Sequence, residues 1–185
     1  MDWDELYSAC MDCHGCDLAD TRTNVVFGVG SRASKLVFIG EGPGEQEDIK
    51  GEPFVGRAGN LLDDELAIIG LDRSKVYICN IVKCRPPHNR DPLNTEQDAC
   101  AKWLEAQMAL LQPKIVVCLG RIAAGALISP DFRITRQHGQ WFEKDGIKYM
   151  AMYHPAALLR DESKRPETFV DLKTLQRELI SHDIL

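Results

Sequence analysis

The feature that most limits how this chain can fold is a set of four short apolar, β-branched runs, at residues 35–40, 75–82, 114–120 and 147–153. Each is strand-length and apolar throughout rather than alternating, which is the pattern of a strand buried on both faces. Helical patterns separate them. AGNLLDDELAIIG lies between the first two, with Leu61, Leu62, Leu66 and Ile69 at helical spacing and Gly70 at the expected C-terminal stop. TEQDACAKWLEAQMALL lies between the next two, with Asn94 as its cap, Gln97 at the capping-box position and Pro113 past its end. This alternation predicts a three-layer α/β/α fold around a central, mostly parallel four-stranded sheet. No repeat, low-complexity segment or long linker divides the 185 residues, so a single domain over 1–185 is expected.

Open sheets of this kind bind ligands at the carboxyl ends of their strands. The loop GEGPGEQED (Gly40–Asp48) follows the first run, Asn80 closes the second before KCRPPHNRDP, Gly120 follows the third, and His154 follows the fourth. Topology therefore gathers these residues into one candidate site. The glycine-rich loop fits neither the G-x-G-x-x-G dinucleotide pattern nor a phosphate loop ending in Gly-Lys-Ser/Thr, and it brings acid where phosphate needs lysine.

The formal net charge of −6 runs against nucleic-acid binding, in which phosphate attraction supplies most of the affinity. The excess is local. Asp2, Asp4, Glu5, Asp12, Asp17 and Asp20 fall within the first twenty residues, which carry no Lys or Arg, and the remainder balances at 22 acidic and 22 basic residues. Three basic groups stand out: Lys83, Arg85 and Arg90; Arg133 and Arg136; Arg160, Lys164 and Arg165. No apolar run approaches the ~20 residues of a membrane span. The start MDWDELYSAC lacks the basic character of a signal peptide, so the expected location is the cytoplasm.

Seven cysteines without a secretory signal point to reduced thiols and metal binding rather than disulfides. Cys13 and Cys16 form a C-x-x-C pair, and Cys84 and Cys100 supply two more thiols. Four thiolates can close one metal site, and spacing does not separate zinc, the default, from a four-iron cluster. Cys10 makes a second C-x-x-C with Cys13, which leaves the ligand register open. Cys79 and Cys118 lie in apolar runs and read as core.

Together, CHGCDLADTRTNVVFG, GEGPGEQED, GEPFVGRAGNLL, VYICNIVKCRPPHNRDP and YHPAALLR resemble the family 4 uracil-DNA glycosylases, the iron–sulfur branch of that superfamily. The match spans nearly the whole chain with the motifs in the family's order. It implies base excision from uracil-containing DNA, by turnover in a monomer. It also implies a 4Fe-4S cluster of mainly structural role on Cys13, Cys16, Cys84 and Cys100.

By the same resemblance, Gly40, Glu41, Gly42, Glu47, Phe54, Asn80 and His154 form the uracil pocket. Phe54 stacks on the flipped base, and Asn80 has the donor and acceptor to read uracil O4 and N3–H. His154 stands before Pro155 at a helix start, a place that disfavours a charged imidazole, so a neutral ring donor would stabilise the uracil anion. Other branches carry aspartate where Gly42 stands, so Glu41, helped by Asn89, is the expected water-activating group, and Glu47 is expected near uracil C5. Arg57, Lys83, Arg85, Arg90 and Arg160 are expected phosphate contacts. Leu158 either wedges into the base stack or faces the core. The rival readings are a non-catalytic zinc- or iron–sulfur-stapled nucleic-acid-binding module and a relative that traps uracil-DNA covalently through a histidine. His88 invites the second comparison, but its loop lacks the long basic insertion.

Overall fold

The computed structural model describes all 185 residues, Met1–Leu185. Helices α1 (Trp3–Met11) and α2 (Leu18–Thr21) lead into β1 (Val29–Gly30), β2 (Leu36–Gly40), α3 (Glu45–Lys50), α4 (Arg57–Ile68) and β3 (Tyr77–Asn80). After these come α5 (Asn94–Leu111), β4 (Ile115–Leu119), α6 (Arg121–Leu127), α7 (Ile134–Gln137) and β5 (Trp141–Lys144). The chain finishes with β6 (Ile147–Met152), α8 (Pro155–Arg160) and α9 (Arg165–Ser181). No helix is long and apolar enough to cross a membrane.

The sheet runs β1-β3-β2-β4-β6-β5, with the four inner strands parallel and each edge strand antiparallel to its neighbour. The inner strands are the four expected ones, and the strand count is corrected from four to six. β1 has only two residues, too few to leave a periodic signal. β5 is part exposed and joins β6 through Asp145 and Gly146, both at positive φ (53° and 79°). Asp-Gly is a hairpin signal, so EKDGIK marks this edge in a way that a search for buried runs does not detect.

Alternate residues of one strand serve opposite faces. Leu36 and Phe38 pack with Leu62 and Leu66 of α4 and Leu172, Leu175 and Leu179 of α9. Val37 and Ile39 pack with Leu104 and Leu111 of α5 and with Ala123 and Ala124 of α6. Each such side chain contributes roughly 1.5–3 kcal/mol when fully buried, so a continuous apolar strand needs helices on both sides. Cys79 and Cys118 sit in the second cluster, fully buried, as expected. A third small cluster, including Leu6, Leu18, Val25 and Phe27, anchors the N-terminal helices beside the cysteines.

The start of α5 differs from expectation by one residue. Leu93 is the cap position, and the Glu96 carboxylate accepts the Leu93 N–H at 2.8 Å, while Gln97 bonds the Pro92 carbonyl. An ionised side chain at a helix N-terminus outcompetes a neutral amide for that role.

Candidate active site and cysteine centre

The strand ends meet as the topology requires. Gly40 of β2 lies directly beside Asn80 of β3 in the parallel register, and the Gly120 N–H donates to the Met152 carbonyl at 2.9 Å, bringing the end of β4 against the approach to His154. Gly40 tolerates no side chain: a Cβ there would lie 2.6 Å from Asn80 Oδ1 and 2.7 Å from Phe54 Cζ. Gly40, Phe54 and Asn80 are therefore one packed group. Asn80 is buried, and its Oδ1 has no hydrogen-bond partner. An unpaired buried acceptor costs about 1–3 kcal/mol.

Phe54 holds a left-handed backbone, with φ at 53°, that a bulky residue adopts only when its surroundings force it. Two side chains do so. Arg73 donates to the carbonyls of Pro53 (2.9 Å), Phe54 and Gly59 (3.3 Å), and its Nε pairs with Asp63. From the other side Glu47 accepts the N–H groups of Val55 (3.0 Å) and Gly56 (3.1 Å) on Oε2, and that of Gly44 (3.0 Å) on Oε1. The Glu47 carboxylate thereby fastens the Phe54 loop to α3, and it lines the same cleft as His154. The Phe54 ring stacks on His154, with centroids 5.4 Å apart and planes 28° apart.

His154 caps α8, with Nδ1 accepting the Ala156 N–H at 3.0 Å. That bond leaves the ring proton on Nε2. Desolvation, aided by the nearby Arg160 charge, lowers the imidazole pKa to about 4. His154 is a neutral ring with an Nε2–H donor.

Beside this group opens a cleft of about 530 Å³, lined by Glu41, Gly42, Glu47, Asn89 and His154 among others. Burial first, then the carboxyl of Asp91, raises the Glu41 pKa to about 7. Asp91 in turn pairs with Arg121 at 2.5 Å, and both line the cleft. Sequence reading singled out neither. Arg121 is the first residue of α6, where the helix dipole disfavours a cation, and a cation in that position needs a carboxylate partner; this is the signal that points to the pair. Asn89 is left-handed, with φ at 57°, and its Oδ1 accepts from Arg85 Nε at 2.7 Å.

The expected phosphate contacts divide. Arg57 is exposed at the start of α4, Arg85 is tied to Asn89, and Arg160 lines the cleft. Arg90 is held in a two-pronged pair with Glu96 at 2.8 and 2.9 Å. Lys83 requires correction. It is 1% exposed and its Nζ donates to the Asn80 carbonyl at 3.0 Å, so it points inward, away from any phosphate. Leu158 is likewise buried, which selects its core reading.

Cys13, Cys16, Cys84 and Cys100 line one cavity, together with Cys10. Three of these sulfurs accept N–H bonds: Cys13 from Gly15 (3.4 Å) and Trp103 Nε1 (3.3 Å), Cys84 from Arg22 (3.4 Å), and Cys100 from the Lys83 amide (3.3 Å). Such donors suit sulfur that carries negative charge as a metal ligand. Lys83 also lines the cavity, and its ammonium, with a single hydrogen bond, acts electrostatically on Cys10 and Cys100. A buried cation needs compensating anions. No three Cys, His, Asp or Glu side chains gather closely enough to hold one metal ion.

A model of the uracil DNA glycosylase superfamily matches residues 27–175. The chain belongs to that superfamily. A type-4 uracil-DNA glycosylase of Archaeoglobus fulgidus is 45% identical over 93% of this chain and 90% of its own length. Type-4 enzymes of Thermotoga maritima (46%, covering 82% of this chain and 80% of theirs) and Sulfurisphaera tokodaii (40%, 95% and 84%) are similar. These matches place the chain in the type-4 family.

Proposed function

We propose that this chain is a monofunctional DNA-repair glycosylase that takes deoxyuridine out of the base stack, hydrolyses its N-glycosidic bond and releases uracil, leaving an abasic site. The observation that carries the reading is Asn80 Oδ1, a buried acceptor without a donor, packed beside the Phe54–His154 pair. The N3–H of uracil is the donor it lacks. Cytosine, with an unprotonated N3, leaves the acceptor unpaired and is rejected on that account.

The roles follow from the chemistry of each group. Phe54 offers an aromatic face that offsets the cost of unstacking, a few kcal/mol. Asn80 reads N3–H and O4. The His154 Nε2–H, on a ring that is neutral at working pH, donates to O2 as negative charge develops there. Glu41 orients the attacking water and, when ionised, stabilises positive charge on the sugar; a carboxyl titrating near the working pH suits a general base. Asn89 borders the same cleft and assists in placing the water. Glu47 keeps Phe54 in place, and Arg57, Arg85 and Arg160 serve as phosphate contacts. A lowered histidine and a raised carboxyl in one cleft favour catalysis over a binding module.

Cys13, Cys16, Cys84 and Cys100 would hold a 4Fe-4S cluster. The N–H donors on the sulfurs and the buried Lys83 ammonium fit four thiolates. Such a cluster would supply a rigid cross-link between the N-terminal segment, the loop after β3 and α5. The protein then acts as a single-domain cytoplasmic monomer on uracil-containing DNA.

The test is incubation of the purified protein with a single-stranded oligonucleotide bearing one uracil. Free uracil and an alkali-labile abasic site are expected, with no product from a thymine control and with about four iron atoms per chain. No release from single- or double-stranded uracil-DNA, or protein trapped on the DNA in a denaturing gel, overturns the reading.

A further inference from the structure

The cleft contains a second carboxylate for which uracil reading has no use. Asp91 lies in the loop before α5, and its carboxyl lies beside that of Glu41 in the lining of the cleft. Its Oδ2 takes Arg121 Nη2 at 2.5 Å. The three side chains form a chain, Glu41 to Asp91 to Arg121, along one wall of the cleft that also holds His154. A carboxyl pair within hydrogen-bond reach shares a proton, and a cation on one member decides which of the two keeps it. Arg121 sits on Asp91, so Asp91 is the member that stays ionised.

We propose that Asp91, held by Arg121, is a positioning residue that fixes both the orientation and the protonation of Glu41 in the cleft. The inference rests on Glu41 as the water-orienting group proposed above. The charged groups acting on Glu41 come from three elements: Asp91 from the loop, Arg121 from α6 and Arg160 from α8. The two arginines favour the ionised Glu41, whereas burial and Asp91 oppose it and prevail, so the carboxyl titrates near 7. Asp91 is held below its ordinary value, chiefly by Arg121. Glu41 therefore keeps its proton until about neutral pH, and a protonated carboxyl beside an ionised one turns its O–H toward it. Without Asp91 the same carboxyl would ionise earlier and rotate more freely.

The experiment compares the wild type with Asp91→Asn, which keeps the size and a hydrogen bond but removes the charge, and with Asp91→Ala. Asp91 is about half exposed, so both variants are expected to fold, and melting temperature checks this. The Glu41 carboxyl is titrated by carbon-13 NMR without DNA, and single-turnover uracil release is followed across pH. In Asp91→Asn the Glu41 midpoint and the acid limb of the rate are both expected to fall by about one pH unit. In Asp91→Ala the plateau rate is expected to fall as well, by roughly tenfold, and the fall should be partly restored in Asp91→Glu. A Glu41 midpoint unchanged in Asp91→Asn overturns the proposal, as does an acid limb that stays in place while the midpoint moves. Glu41→Gln separates the two layers: full activity in that variant refutes Glu41 as the water-orienting group, whatever the titration shows.

Discussion

Glu47→Gln separates a base-reading glutamate from one that holds a loop. In the structure Oε2 accepts two N–H groups, from Val55 and Gly56, and Oε1 accepts one, from Gly44. A glutamine has one acceptor oxygen, so keeping the pair on the Phe54 loop forces its NH₂ against the Gly44 N–H. The variant loses one bond and the charge that strengthened the other two. Bonds to charged groups contribute about 1.5–3 kcal/mol each, and a chain of this size shifts Tm by roughly 2–4 °C per kcal/mol. A Tm drop of about 3–12 °C is expected by calorimetry. Phe54, released from one side of its left-handed backbone, should lose pre-organisation, raising KM for uracil-DNA more than it lowers kcat. Thymine release should remain absent. An unchanged Tm with new activity on thymine would return Glu47 to the base.

Glu65 is buried with neither carboxyl oxygen paired, and burial raises its pKa from about 4.5 to about 8. The native state keeps a proton there that the unfolded chain gives up, so stability should fall as pH rises from about 5 to 8, by up to about 1.4 kcal/mol per unit; Glu65→Met should flatten that slope in thermal melts, and parallel slopes would contradict it. Lys83→Met removes the buried cation beside the thiols, and iron release to a chelator should quicken about tenfold, with equal release rates showing that the charge is irrelevant to the cysteine centre.

The four inner strands and the crossover helices α4 and α5 were legible because burial on both faces writes continuous apolar runs, as in LVFIG and IVVCL, whereas α9, which covers one face of the sheet, was not singled out. The edges were not, since β1 is two residues long and β5 keeps one side in solvent. At the site, topology alone brought Glu41, Asn80 and His154 to one end of the sheet. Side-chain direction was the part the sequence did not carry. Lys83 and Leu158 stand in segments that pass close to the cleft, yet both turn inward, because burial depends on packing partners that lie far off in the chain. Arg73, Asp91 and Arg121 act through contacts between segments far apart in the chain, and the spacing within any one motif does not record such contacts.

Single-turnover release from a uracil oligonucleotide shows whether Asn80 and His154 form one uracil site at the strand ends. Asn80→Ala and His154→Ala are each expected to lose about 10²–10³-fold in rate while keeping the wild-type melting temperature within a few degrees and the full iron content. Wild-type rates in either variant would rule out that site.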